Sequence, residues 1–147
     1  MPASRFGFWL EALGCGGRFP SMNEFTKAIV RESGSVAAEK VGAGEGTTRQ
    51  VLIGHEDAPN FALRRFIMEP GGGMPNHTNT VEHEQYILKG KAEVGIGESV
   101  LQVKAGDAVY IPAGVPHWYK ADAKEGFEFL CIVPNKEDVI TLAGGGC

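Results

Sequence analysis

Two short blocks hold three of the chain's four histidines: Gly71-x5-His77-x-Asn79-x3-His83-x6-Gly90 and, fifteen residues on, Gly106-x5-Pro112-x-Gly114-x2-His117. Alternate side chains of an extended strand share a face. His77 and Asn79 therefore point the same way, as do His83, Gln85 and Ile87 on the strand that follows. A Pro-Gly turn then leads into a further strand on which His117, Tyr119 and Ala121 share a face. Neutral imidazole suits Zn, Cu, Fe and Ni, and an amide oxygen is a harder donor that tolerates Mn. The residues predict one divalent transition metal per chain, held by His77, Asn79, His83 and His117. The plainer reading makes the histidines ordinary polar residues of a barrel interior or of turns. Each one alone favours that reading, but three imidazoles and an amide at strand parity around two turns favour an ion.

The elements that must position these donors are strands. From about Thr47 onward, runs rich in Val, Ile, Phe and Tyr alternate with Gly, Pro and Asp punctuation, which predicts strands at about 48–54, 61–68, 76–80, 83–89, 91–96, 99–103, 107–111, 116–121 and 127–133. No helix is expected there. Two sheets closing on each other bury the alternating faces and leave few edges, so the expected fold class is all-β, a jelly-roll barrel in a single domain. The stretch from Asn23 to Glu32 reads equally as helix or extended chain. The expected organisation is a leader over residues 1–21, a barrel over 22–140 and a Gly-rich tail over 141–147.

Composition narrows the function classes. A chain of 147 residues with net charge −4 is large enough for one core. No Lys or Arg block interleaves with aromatics, which argues against a nucleic-acid partner, and no apolar run reaches the roughly 20 residues that span a bilayer. Phe6-Gly7-Phe8-Trp9-Leu10 is apolar but interrupted by Glu11, a poor signal peptide. Cys15, Cys131 and Cys147 make no disulfide framework, and the reducing cytoplasm is the default location.

The Gly/His/Gly and Gly/Pro/Gly/His blocks resemble the two motifs of the cupin superfamily. The likeness extends to Val51-Leu52-Ile53-Gly54, Asp57-Ala58-Pro59-Asn60-Phe61, Glu69-Pro70-Gly71-Gly72, Glu82-His83-Glu84 and Phe129-Leu130-Cys131. These resemble segments of small single-domain cupins that bind manganese through four histidines, over about residues 27–135. The resemblance implies manganese first, then Fe, Ni, Cu or Zn, and a homodimer. Asn79 stands where those relatives have their second histidine. Either it ligates through a weaker neutral oxygen, or it stays back and leaves a position to water or substrate. Ala121 replaces the last Asn of the usual second motif, a position that is not a ligand in the family pattern.

By parity Phe127, Phe129, Cys131 and Val133 share one strand face. Substrate-pocket candidates are Arg64, Met74, Gln85, Tyr119, Phe129 and Cys131, with Arg64 at the rim favouring a carboxylate or enolate. Core packing explains Phe129 and Val133 as well, and a buried thiol such as Cys131 is usually inert. His55 reads as a surface residue, and Glu82 and Glu84 as pointing away from the ion. No acid/base residue stands out, so no catalytic residue is assigned. An ion held by three imidazoles and one weak ligand in an apolar cavity suits oxidative chemistry, dioxygenase or oxidase, on a small enol, phenol or carboxylate. The alternative is a non-redox isomerase or a module that binds a sugar or small acid.

Overall fold

The computed structural model describes residues 27–144. The expectations for the leader, for Cys15 and Cys147 and for the last three glycine-tail residues lie outside them. A short 3-10 turn, Ser33–Ser35, precedes nine strands: β1 Glu39–Lys40, β2 Glu45–Ile53, β3 Phe61–Asn79, β4 His83–Ile96, β5 Ser99–Lys104, β6 Ala108–Ile111, β7 His117–Ala121, β8 Phe127–Pro134 and β9 Ile140–Leu142. No α-helix occurs among the described residues, and no helix there is long and apolar enough to cross a membrane. Residues 27–32 take no regular structure, and β9 runs two residues past position 140.

Where two pairs of shorter strands are expected, the structure has two long ones. β3 runs through Pro70-Gly71-Gly72-Gly73, and β4 runs through Gly90. The reason is backbone freedom: Gly90 sits at φ +73°, outside the range comfortable for other residues, so the strand bends without ending. Each long strand thereby belongs to both layers of the barrel. The first half of β3 pairs with β2 and β8, its second half with β7 and β9. The first half of β4 pairs with β6 and β8, its second half with β5 and β7. All pairings are antiparallel, and together they make the jelly-roll expected from the strand pattern.

The alternation read from the sequence holds in the inward faces. Phe127, Phe129, Cys131 and Val133 of β8 are buried, as are His117, Tyr119 and Ala121 of β7 and His83, Gln85 and Ile87 of β4. Phe129 stacks between Phe66 and Tyr119, with ring centroids 5.2 and 5.4 Å away. The apolar core, including Met68, Ile87, Val94, Ile111 and Phe127, supplies the burial that stabilises the barrel, roughly 1.5–3 kcal/mol for each large side chain. Gly73 sets the spacing of the second layer: a Cβ there would collide with the Tyr119 carbonyl oxygen, so only glycine lets β3 and β7 lie this close.

Candidate metal centre

Three strands deliver the candidate donors. His77 and Asn79 come from the end of β3, His83 from the start of β4 and His117 from the start of β7. His77 and His117 are register partners, so their rings meet, with centroids 4.2 Å apart. His83 meets His117 edge to face at 5.4 Å. The turn carrying Pro112 and Gly114 is tied to the first motif because Gly114 N–H donates to the Asn79 carbonyl at 2.8 Å. All four side chains are buried.

Hydrogen bonds orient three of the four. His77 Nδ1 lies 2.8 Å from the Pro75 carbonyl and His117 Nδ1 lies 2.9 Å from the Val115 carbonyl. A carbonyl only accepts, so in each neutral ring the proton is on Nδ1 and the lone pair is on Nε2. Asn79 Nδ2 donates to Asp138 Oδ2 at 2.7 Å. The carboxylate also only accepts, which fixes the amide with Oδ1 turned away from Asp138. Asp138 is itself held, accepting from Thr80 N–H at 3.2 Å, while Thr80 Oγ1 donates to the Glu137 carbonyl and accepts from Val139 N–H. The loop between β8 and β9 thus clamps the loop between β3 and β4.

Protonation states favour ligation. Burial, followed by the positive charge of Arg64 and the neighbouring imidazoles, pushes His83 down to about 3. Burial also lowers His117, opposed by its hydrogen bond to the Val115 carbonyl. Neutral imidazoles and a carboxamide oxygen are the donor chemistry that a divalent transition metal takes. Among the described residues, however, no group of three His, Cys, Asp or Glu side chains meets the geometry of a formed metal site. The imidazoles are gathered as neighbours rather than already closed on one point.

All ten residues singled out in the sequence line one cavity: the four donors together with Arg64, Met74, Gln85, Tyr119, Phe129 and Cys131. Seven buried side-chain polar atoms of the described residues have no partner in the protein. Six of them, Arg49 Nε, Arg64 Nε, Asn79 Oδ1, His83 Nε2, Gln85 Oε1 and His117 Nε2, belong to residues lining this cavity. Buried polar groups are normally paired, so their concentration in one place makes this cavity the candidate ligand site. Gln85 Nε2 donates to the Tyr119 hydroxyl at 2.6 Å, and burial raises the pKa of that hydroxyl, leaving Tyr119 a proton donor rather than a base. Arg64 lines both this cavity and the open basin beside it. Its Nη2 reaches Cys131 Sγ at 3.3 Å and its guanidinium sits 5.4 Å from the Phe66 ring centre. Burial raises the pKa of the Cys131 thiol, with Arg64 opposing.

Sequence reasoning missed Arg49, which reaches the cavity from β2, and Asp138, which acts from behind Asn79. Both depend on strand pairings between distant parts of the chain, although the acidic Glu137-Asp138 pair just after the last long strand was a visible signal. His55 and Glu82 are exposed, and Glu84 is half-buried outside the cavity lining.

A family profile described as a cupin domain matches residues 64–133, a span that contains every one of those ten residues. A curated relative, 1-methylthio-D-xylulose 5-phosphate methylsulfurylase of Rhodospirillum rubrum, is 35% identical over 91 residues, 62% of this chain and 58% of its own length. Acireductone dioxygenase 1 of Pectobacterium atrosepticum is 28% identical over 122 residues, 80% of this chain and 68% of its own. The chain therefore spans little more than half of the first of these relatives. A solved cupin-2 domain from Rhodospirillum rubrum superposes with a TM-score of 0.69 at 30% identity, over 81% of this chain and 82% of that one. With motifs, barrel and relatives in agreement, the chain belongs to the cupin superfamily.

Proposed function

We propose that the protein is a metal-dependent cupin enzyme with oxidative activity, of dioxygenase or oxidase type, on a small enol, phenol or carboxylate. The observation that carries this is the set of partnerless buried donors facing one cavity, His83 Nε2, His117 Nε2 and Asn79 Oδ1 among them. A bound divalent metal would supply a Lewis-acidic, oxygen-binding centre. His77, His83 and His117 would hold it through nitrogen, and Asn79, turned by Asp138, through oxygen. Closing the set would fall to His83, the one donor without an orienting hydrogen bond among the described residues, whose broad second torsion allows rotation. Manganese suits a set that includes a hard amide oxygen. The named dioxygenase relative supports the oxidative reading.

The chain's own groups do the rest. Phe129, Phe66 and Tyr119 pack against the part of the substrate that enters beside the donors and exclude water there, and the protonated Tyr119 hydroxyl donates to a substrate oxygen. The cytosol suits a buried free thiol at Cys131. The exposed apolar row Tyr86, Leu88, Tyr110 and Ile132 supports a homodimer.

Elemental analysis of protein purified without chelator, followed by an oxygen-electrode screen of catechols, enols and flavonols, tests the proposal. Manganese or another redox-capable metal with substrate-dependent oxygen uptake is expected. Zinc alone, with no uptake, would overturn it. That outcome would favour the alternative, a non-redox isomerase or a module that binds a sugar or small acid.

A further inference from the structure

A second hollow adjoins the cavity. About 70 Å³ lies inside, against the histidines, and a basin of about 830 Å³ lies outside, and Arg49 and Arg64 line both. In register Arg49 stands opposite Phe66 and Arg64 opposite Val51, so the two guanidiniums rise as neighbours from the β2–β3 pair.

The two chambers differ in charge balance. In the basin Arg31 is tied to Asp57 by two hydrogen bonds, at 2.9 and 3.0 Å, and Glu39, Glu56, Glu137 and Asp138 line it as well. Among the described residues, the inner chamber is lined by Arg49 and Arg64 and by no carboxylate. Among the same residues Arg64 makes no ion pair, its one side-chain polar contact being the Cys131 sulfur, Arg49 reaches only the exposed Glu39, at 3.2 Å, and both arginines keep a buried Nε–H without a partner. The nearest acid behind the donors, Asp138, is engaged by Asn79 and Thr80. The proposed metal ligands are all neutral, so a bound dication adds charge that nothing in the chamber offsets. Uncompensated charge in a low-dielectric space is costly, and an anionic ligand removes the cost.

We propose that Arg49 and Arg64 form an anion-binding neck, and that the ligand is an organic oxyanion whose charged head enters the inner chamber while its remainder occupies the outer basin. The inner space of about 70 Å³ suits a small charged head beside the donors, and the far larger basin takes the remainder. Guanidinium forks match carboxylate and phosphate heads bidentately. This rests on the metal reading above for its full strength, but the arginine contribution is separable from it.

The test is calorimetric titration of malonate, inorganic phosphate and the neutral isostere malonamide into manganese-loaded and metal-free protein. Malonate stands for a carboxylate head and phosphate for a phosphate head. Binding of either through the arginines is expected, with malonamide at least tenfold weaker than malonate. Arg64→Gln should weaken anion binding at least tenfold and Arg49→Gln about threefold. Arg64→Lys should restore part of the loss, and it keeps the test open if Arg64→Gln fails to fold. Arg31→Gln, which removes a cation already neutralised by Asp57, should change affinity less than twofold. Affinities within twofold of wild type in the Arg49 and Arg64 variants, or malonamide binding as well as malonate, would overturn the proposal. Arginine-dependent malonate binding without manganese binding would sink the metal reading and leave this one standing. Manganese binding with arginine-independent anion affinity would do the reverse.

Discussion

Along β3, the half from Gly73 to Asn79 and the half from Phe61 to Met68 face one cavity but hold their side chains in different ways. In the second half, His77 is pinned by its own strand's carbonyl and Asn79 by Asp138. In the first half, Arg64 is a long chain resting near Phe66 and a sulfur, contacts that cost little to rearrange. The ligand wall is therefore preset, and the substrate wall is adjustable. A preset wall spends its hydrogen bonds on tautomer and orientation, whereas an adjustable one keeps unspent donors for whatever enters.

Substitutions should separate the two walls. The largest effect is expected for His117→Ala, the ring that touches both other imidazoles: manganese affinity should fall about a thousandfold, near 4 kcal/mol, in an electron-paramagnetic-resonance titration. Retained affinity would mean that the ion sits elsewhere. Next comes Phe129→Ala on the packing wall. Losing a ring stacked on two neighbours should cost about 3 kcal/mol of unfolding free energy while shifting metal affinity little, as read by urea denaturation alongside the same titration. A large loss of metal affinity would show that the walls are not separable.

A smaller effect is expected from Asp138→Asn, which frees the Asn79 amide to flip. Second-shell changes of this kind typically cost about tenfold in metal affinity, and here the cost should vanish in an Asn79→Ala background, where there is no amide left to orient. Equal losses in both backgrounds would make Asp138 a merely structural residue.

A further expected effect concerns pH. His83 in the folded, metal-free protein stays neutral down to about 3, whereas in the unfolded chain it takes up a proton near 6.5. The unfolded state therefore binds the extra proton between those values. The contribution to stability is complete above about 6.5 and drains away as pH falls toward 3. Thermal unfolding between pH 7.5 and 4.5 should show this decline, and His83→Gln should flatten it. An equally steep decline in the variant would assign the acid sensitivity to other groups.

Strand parity made the inward faces legible. His77 with Asn79, His83 with Gln85, His117 with Tyr119, and Phe129 with Cys131 could be placed because side-chain direction alternates whatever the partner strand is. Register is a different quantity. Arg49 reaches the cavity only because β2 aligns it with Phe66, and Asp138 reaches Asn79 across 59 residues of sequence. The acidic Glu137-Asp138 pair is visible in the sequence, but neither alignment has a local signature that says where the side chain lands. The Pro70 to Gly73 run was misleading for another reason. Glycine and proline usually end a strand, but here the backbone freedom of the glycines lets one strand turn the barrel corner and serve both sheets.

The clamp between Asp138 and Asn79 also bears on the order of assembly. Its two halves lie 59 residues apart in sequence, so the amide oxygen acquires its direction only once the β8–β9 loop has docked beside the β3–β4 loop. Tight ion capture would then report completed architecture, and a metal-sensitive probe followed during refolding should lag the burial of Phe129.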